Sequence, residues 1–516
     1  MFKKKNRSKK RTRAMLSAYS IIMILIIILG ICSHILPKAQ YTAIVEEAEI
    51  AETIEEAEVF SSLADCEEAY GEGGCQIVEG SGVVGAELYQ VLMAPFDGFT
   101  DALDVCVFVM ILGGFLKIIT KTKALENGIK ILVQKLKGRE YLLILLLMFI
   151  FSVLGTTYGF LEESVAFYVL LAATMFAAGL DPLVGVATIL LGAGSGVLGS
   201  TINPFATGVA LSAMKDAGIA YDQGTVMIIA VALWLTTLAV SAFFVVKYAK
   251  KVQRDKGSTF LTLREQAAAE KKYSGFAKST DEAIALTGKQ KVTLILFALT
   301  FLVMVVGFVP WGEFGITLFD GFTGWLTGAS LGNWWFYESA LWFLIMGIII
   351  SIVNGFGEKG FVDTFVDGAD DMIGVIFVVA IARGVSVLMS ETAMDSYIIV
   401  NATEALSNLP EMAFVPLNYL LHIFLSILVP SSSGLATMST PIVAPIAAGL
   451  GYSTNVAAMT IVSANGLVNL ITPTCGAIMG GLALAKVDYP TWFRWAFKVV
   501  ATIAVVNIVV LCLFSL

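Results

Sequence analysis

Charge is what this sequence has least of. Only 14% of its 516 residues are Asp, Glu, Lys or Arg, against roughly 25% in an ordinary soluble protein, and 57% are hydrophobic. That balance excludes a soluble globular domain. Histidine is scarcer still: His34 and His422 are the only two, far apart in the chain, and no HExxH pair is present, which argues against a zinc hydrolase. The phosphate-cradling GxxxxGK[ST] loop is missing too, which argues against direct driving by ATP. The net charge of −8 (33 − 41) gives no footing for nucleic acid, because the basic residues are gathered in a few loops and the acidic ones in others.

What is there is apolar. Spans of about 17–25 apolar residues recur from end to end, the pattern of a polytopic helical bundle whose backbone must satisfy its own hydrogen bonds in lipid. A transmembrane barrel would show short alternating segments instead. The predicted class is an all-α polytopic membrane protein.

The placement of Lys and Arg predicts the topology. The tail 1–14, beginning MFKKKNRSKKRTR, is strongly basic and precedes the apolar run Met15 to Leu36. Its expected side is the cytoplasm, with the run read as a retained first helix because no small-residue cleavage site follows it. The Glu-rich loop 37–88 carries Lys38 as its only base and is expected outside. Lys117 to Arg139 and Lys247 to Lys291 are expected inside, and the loops 310–338 and 395–412, which hold no Lys or Arg, outside. Residues 357–371, read as a cytoplasmic loop, fit poorly: they set Lys359 against Glu358, Asp363, Asp367, Asp370 and Asp371. The C-terminus is expected outside.

Cys32, Cys106, Cys475 and Cys512 fall in apolar segments and read as small core residues. Cys66 and Cys75 both lie in the acidic outer loop, where a disulfide closing a small loop can persist. The loop itself either draws cations to an entrance or is a solvated insertion.

The chain contains an internal repeat. AAGLDPLVGVATILLGAGSGVLGSTINP (177–204) aligns with AAGLGYSTNVAAMTIVSANGLVNLITP (447–473) at an offset of 270 (447 − 177). Gly196 then falls on Gly466, Gly114 on Gly384, and GFLEES (159–164) on VPSSSG (429–434). Dropping one residue brings Asn203-Pro204 onto Thr472-Pro473. Repeat 1 is read as 15–248 and repeat 2 as 341–516, with 249–340 as a connector holding one extra span. An odd number of crossings between like units inverts the second, a plan shared by many secondary transporters.

The paired runs flanking Glu162 are each too short to cross a bilayer comfortably, and both must return to the cytoplasm. Residues 141–180 are therefore expected to form a re-entrant helical hairpin, with 413–449 as its inverted partner. Each hairpin is followed by a segment broken by glycine and proline, 183–214 and 454–485, read as a discontinuous helix. Unwound backbone at membrane depth survives only inside protein or along a watery cavity. Half-helix ends there can hold anionic groups and free carbonyls can hold Na⁺. The polar residues of tips and breaks form the candidate site: Glu162, Glu163, Ser195, Thr201, Asn203, Ser431, Ser432, Ser433, Asn465, Asn469, Thr472 and Thr474. Na⁺ is expected, if anywhere, at the breaks near Gly196 and Gly466; otherwise H⁺ is the coupling ion, and no other cofactor is expected.

GFLEESVAFYVLL, LLGAGSGVLGSTINPFATG, ARGVSVLMSETAMD, LVPSSSGLATMSTPIVAPIA and NLITPTCGAIMGGLALAKVDYPTWFRW resemble the YfcC-type transporters, grouped with the C4-dicarboxylate anaerobic carriers in the ion transporter superfamily. The resemblance runs from about Phe96 to the C-terminus. It implies a bacterial inner-membrane carrier with two hairpins, a scaffold and a moving substrate-bearing region, working as a homodimer. It also implies a substrate that is either a C4-dicarboxylate or a basic amino acid such as arginine or ornithine.

The intramembrane charges bear on that choice. A carboxylate at the bilayer centre costs at least about 2.5–3.5 kcal/mol on insertion scales. Glu162 or Glu163 is therefore read as pairing with a cationic substrate or carrying a proton, against the alternative that one of them neutralises Arg383. Arg383 in turn faces a substrate carboxylate or an internal counter-ion. Adjacent carboxylates repel a dianion, which favours a basic amino acid exchanged or symported by alternating access. A dicarboxylate carrier and, behind it, an ion channel are the other readings. Trp492, Arg494 and Trp495 read as an interfacial anchor.

Overall fold

The computed structural model describes residues 18–44, 59–71, 73–135, 139–278, 285–309, 311–319, 321, 323–407 and 409–516. The basic tail and most of the Glu-rich stretch, 45–58, lie outside the described residues. The protein is an all-α polytopic membrane protein, with a two-stranded antiparallel ribbon as the described exception.

Helix α1 (Ala18–Ile35) leads to a small unit in the acidic loop, built from β1 (Tyr41–Ala43), α2 (Leu63–Tyr70) and β2 (Cys75–Ile77). Tyr41 pairs with Ile77 across the ribbon, and a disulfide joins Cys66 to Cys75. The first half continues through α3 (Leu88–Asp101), α4 (Leu103–Lys121), α5 (Ala124–Lys135), α6 (Glu140–Tyr158), α7 (Tyr168–Ala177), α8 (Pro182–Gly199), α9 (Val209–Asp216) and α10 (Gln223–Arg254). Helices α11 (Leu263–Lys278), α12 (Gly288–Phe308) and the single turn α13 (Gly324–Thr327) follow. The second half comprises α14 (Phe336–Asn354), α15 (Glu358–Asp370), α16 (Ile373–Glu391), α17 (Met394–Leu406), α18 (Glu411–Leu428), α19 (Ser432–Gly449), α20 (Thr454–Val468), α21 (Gly476–Ala485) and α22 (Tyr489–Phe514). Helices α4, α8, α10, α12, α14, α18 and α22 are long and apolar enough to cross a membrane.

The chain turns at Ala102 (φ −100°, ψ 18°) between α3 and α4. One expectation about local structure is corrected. Residues 357–371 were expected as a loop and form α15. Their acidic residues mask a short amphipathic helix whose charges are met by a partner: Asp367 and Asp371 lie 2.9 and 2.8 Å from Lys117 Nζ. That pairing also explains why an acidic segment can lie on the same side as the basic cluster beginning at Lys117.

These two short helices pack reciprocally. Helix α3 lies on α16, and α15 on α4. A methyl at Gly98 would run into the Gly384 backbone, and one at Gly368 would meet the Gly113 carbonyl and the Gly114 Cα. Gly98 with Gly368, and Gly114 with Gly384, are again 270 residues apart, the first pair inside the matching strings DGFTD (97–101) and DGADD (367–371).

The innermost elements are α8 and α20, which pack on each other and whose residues are buried throughout except for the first two of α20. Gly466 makes room for the Leu198 backbone, and Gly194 for the Leu470 side chain. Helix α11 straps this core from outside the bundle. Buried Glu265 accepts from Thr262 N, Asp488 N and Thr491 Oγ1 at 2.6, 2.8 and 3.1 Å. Lys272 Nζ and Tyr273 OH donate to the Leu484 and Ala485 carbonyls at 2.8 and 3.2 Å, closing the C-terminal end of α21.

Candidate functional site

Helix breaks create the site. Between α6 and the 3₁₀ turn Glu163–Phe167, the chain reverses at Gly159 (φ 86°), which lies against the Asn203 carboxamide where a methyl would come within 3.1 Å. Helix α8 ends at Ser200 (φ 44°), and after 201–203 the chain resumes as a π-helical turn, Pro204–Gly208, running into α9. In the second half, α18 and α19 are joined by 429–431, and α20 is separated from α21 by 469–475.

Each tip is tied to the break beside it. Thr201 donates from its backbone N to Thr156 Oγ1 (3.0 Å) and from its own Oγ1 to the Thr156 carbonyl (3.1 Å). At the second tip, Asn469 Nδ2 donates to the Pro430 carbonyl (2.9 Å), Thr474 Oγ1 to that of Ile427 (2.9 Å), and Ser432 Oγ to Asn465 Oδ1 (2.9 Å). Asn469 Oδ1 is buried and has no partner among the described residues. Breaking the helix leaves carbonyls and amides that require partners, and these amide and hydroxyl side chains supply them.

Both tips and both breaks line one cavity of about 160 Å³. Glu162, Asn203, Ser431, Ser432, Ser433, Asn469, Thr474 and Arg383 all contribute to its wall. The other residues singled out in the sequence lie elsewhere. Ser195 is buried between α8 and α10, 3.1 Å from Ser241 Oγ. Thr201 is spent on Thr156, Asn465 sits behind Ser432, and Thr472 lies behind Thr474 at 2.7 Å. Glu163 opens the 3₁₀ turn, and its side chain is outside the described residues. Gly196 and Gly466 fall within α8 and α20, where they admit neighbouring backbone, and not in the unwound segments.

Among the described residues Arg383 pairs with Asp101, not with Glu162: its Nε lies 3.3 Å from Asp101 Oδ2 at the end of α3. Asp101, Asp104, Phe205, Trp335, Phe336 and Cys475 also line the cavity and were not singled out in the sequence. The repeated DGxxD string was the available signal for Asp101; nothing local marked Trp335. The N-terminal residues of α19 and α21, Ser432, Gly476 and Ala477, face the same space, so two helix N-termini border it, that of α19 capped by Ser431 Oγ, which accepts from Gly434 N at 3.1 Å.

A bundle of apolar helices that breaks four times around one small polar cavity defines a membrane transporter for small solutes. The family profile described as DcuC, C4-dicarboxylate anaerobic carrier, matches residues 15–515, and the chain belongs to that family. An uncharacterized protein of Haemophilus influenzae is 29% identical over 415 residues, covering 80% of this chain and 76% of that protein. The putative basic amino acid antiporter YfcC of Escherichia coli is 25% identical over 417 residues, covering 78% and 76%. Among solved structures, Neisseria gonorrhoeae MtrF, described within a class of antimetabolite efflux pumps, is 17% identical with a TM-score of 0.45, covering 97% of this chain and 95% of its own. The Alcanivorax borkumensis YdaH transporter is 15% identical with a TM-score of 0.46, covering 96% and 97%.

Proposed function

We propose that this transporter is a secondary active carrier of a basic amino acid, such as arginine or ornithine, working by alternating access with exchange or ion coupling. The observation that carries this reading is the cavity's charge: Asp101, Asp104 and Glu162 are set against Arg383 alone. Arg383 is matched by Asp101, which leaves two carboxylates for an incoming cation. The N-termini of α19 and α21 suit the carboxylate at the solute's other end. The cavity's size, below the roughly 300–1,000 Å³ of drug-sized pockets, suits a small solute. The similarity to the E. coli putative antiporter adds support.

The family's description favours a second reading, a C4-dicarboxylate carrier driven by Na⁺ or H⁺. On that reading Arg383 and the helix N-termini hold the two carboxylates, and Glu162 is protonated. In both readings the two halves are inverted repeats, and the protein is a homodimer of the bacterial inner membrane with its N-terminus inside and its C-terminus outside. The Lys117 pairs with Asp367 and Asp371 support that topology by joining two segments assigned to the cytoplasm.

Counterflow in proteoliposomes separates the readings. Saturable exchange of labelled arginine for internal arginine or ornithine, unaffected by succinate or fumarate, is the expected result. Exchange of dicarboxylates alone would overturn the basic-amino-acid reading in favour of the second. Conductance in place of saturable exchange would indicate a channel.

A further inference from the structure

We propose that Trp335 is a gate over the outer mouth of the cavity, latched by Asp104 and seated on Phe205, and that a cationic solute opens it by taking the Asp104 carboxylate. The inference rests on the reading of the cavity as a cation site and of loop 310–338 as external.

Phe205 is the aromatic residue of the first helix break. Its ring centroid lies 4.3 Å from that of Trp335, 5.4 Å from Phe308 and 5.5 Å from Phe336. Those three rings belong to the end of α12 and the start of α14, so the broken helix meets that pair of helices through a plug seated among aromatic rings. Trp335, the residue before α14, is 41% exposed while also lining the cavity. On the external reading of loop 310–338, its exposed edge meets water and its other edge the solute space.

What holds the indole in place is slight. Its Nε1 donates to Asp104 Oδ2 at 2.9 Å, while Asp104 Oδ1 is occupied by the Val105 amide at 2.7 Å. Asp104 Oδ2, the oxygen that holds the gate, is open to an ammonium or guanidinium entering the cavity. With charge on both partners that contact outweighs the bond to the neutral indole, in which only the acceptor is charged, and draws the carboxylate away from it; the ring left on Phe205 offers its face to the cation. A dianion has no such effect, because it is repelled by the latch itself. Selection and opening then depend on the same carboxylate.

Cys475 gives a native reporter, since it lines the cavity. Proteoliposomes are treated from the outer face with a membrane-impermeant thiol reagent, and mass spectrometry follows the Cys475 peptide apart from those of Cys32, Cys106 and Cys512. A closed gate leaves the open form at about 0.1–10% of the population, so Trp335→Ala should raise the labelling rate on the order of tenfold or more. Trp335→Phe keeps a ring on Phe205 but loses the N–H, and should fall between. Phe205→Ala removes the seat from the other side and should match Trp335→Ala, which guards against one variant failing to fold. Wild-type rates in both alanine variants, or a rise seen only on cytoplasmic addition, overturn the gate. Arginine is read separately. In the wild type it should speed labelling, because it opens the gate; in the already open Trp335→Ala it should only slow labelling by covering the thiol. If arginine alters the wild-type rate while the variants label like wild type, the gate falls and the substrate reading stands. Faster labelling in the variants with no acceleration of the wild type by arginine keeps Trp335 as the gate but overturns its opening by a cation.

Discussion

Arg383 and Asp101 join the two halves of the chain at the cavity wall: the guanidinium Nε on α16 lies 3.3 Å from the carboxylate on α3. The side chains are 27% and 48% exposed, so the pair is worth about 1 kcal/mol at most, the upper end for ion pairs open to water. Its greater role is to hold charge in the cavity in balance.

A double-mutant cycle tests that role. Arg383→Gln leaves Asp101 uncompensated beside Asp104 and Glu162, and should impair uptake of a cationic solute by trapping it or lowering turnover. Adding Asp101→Asn should recover much of the loss. Recovery marks Arg383 as a counter-ion; a double variant no better than Arg383→Gln would show that the guanidinium binds the solute directly.

The glycine contacts give a stability prediction. Gly98 and Gly368 face backbone, which cannot move aside, whereas Gly114 faces the Phe365 ring at 2.7 Å. Gly98→Ala and Gly368→Ala should each destabilise by about 1–3 kcal/mol through overpacking, with Gly114→Ala milder. Gly449, with nothing near its would-be methyl, should tolerate alanine or gain about 0.4–1 kcal/mol. Melting temperatures in detergent rank the four; an equal loss at Gly98 and Gly449 would contradict the close approach of α3 and α16.

The breaks were legible because glycine, proline and serine interrupt apolar runs, and such residues end helices for local reasons. Which break residue faces the cavity was less so. Thr472 was read opposite Asn203, yet Thr474, also a candidate, lines the wall with Thr472 behind it. Asp101, Asp104 and Trp335 reach the site only through packing of α3 on α16 and of α14 on α4. Long-range packing leaves no local signature. The acidic string 367–371 looked like a loop because its neutralising partner, Lys117, is about 250 residues away, though the offset of 270 already tied it to 97–101.

The strap helix α11 makes a separate prediction. Buried Glu265 receives two backbone amides, Thr262 and Asp488, together with the hydroxyls of Thr262 and of buried Thr491. Glu265→Ala leaves those donors unpaired at about 1–3 kcal/mol for each buried group. Limited proteolysis should then cut within 255–278 much faster than in the wild type. Glu265→Gln, which keeps an acceptor, should be cut more slowly than the alanine variant; equal cutting of all three proteins would mean that α11 is held by its apolar face instead.

Glu162 and Ser432 occupy equivalent tip positions 270 residues apart, but among the described residues only Ser432 has a side-chain hydrogen-bond partner, Asn465 Oδ1 at 2.9 Å. A carboxylate left without an ion pair in a membrane cavity is expensive unless something else meets it. If a cationic solute does so, Glu162→Gln removes one side of a desolvated pair and should cost about 2–5 kcal/mol in binding, roughly thirty-fold to several-thousand-fold in affinity. Ser432→Ala, which frees Asn465 without removing charge, should cost far less. Thermal shift against arginine measures the first effect, because a ligand that binds the folded state raises its stability by mass action. A proton-carrying Glu162 predicts a different outcome: the Gln variant still binds and exchanges arginine but loses its response to a pH gradient. Wild-type binding, exchange and pH response together would leave Glu162 as a structural charge and remove the main support for a cationic substrate.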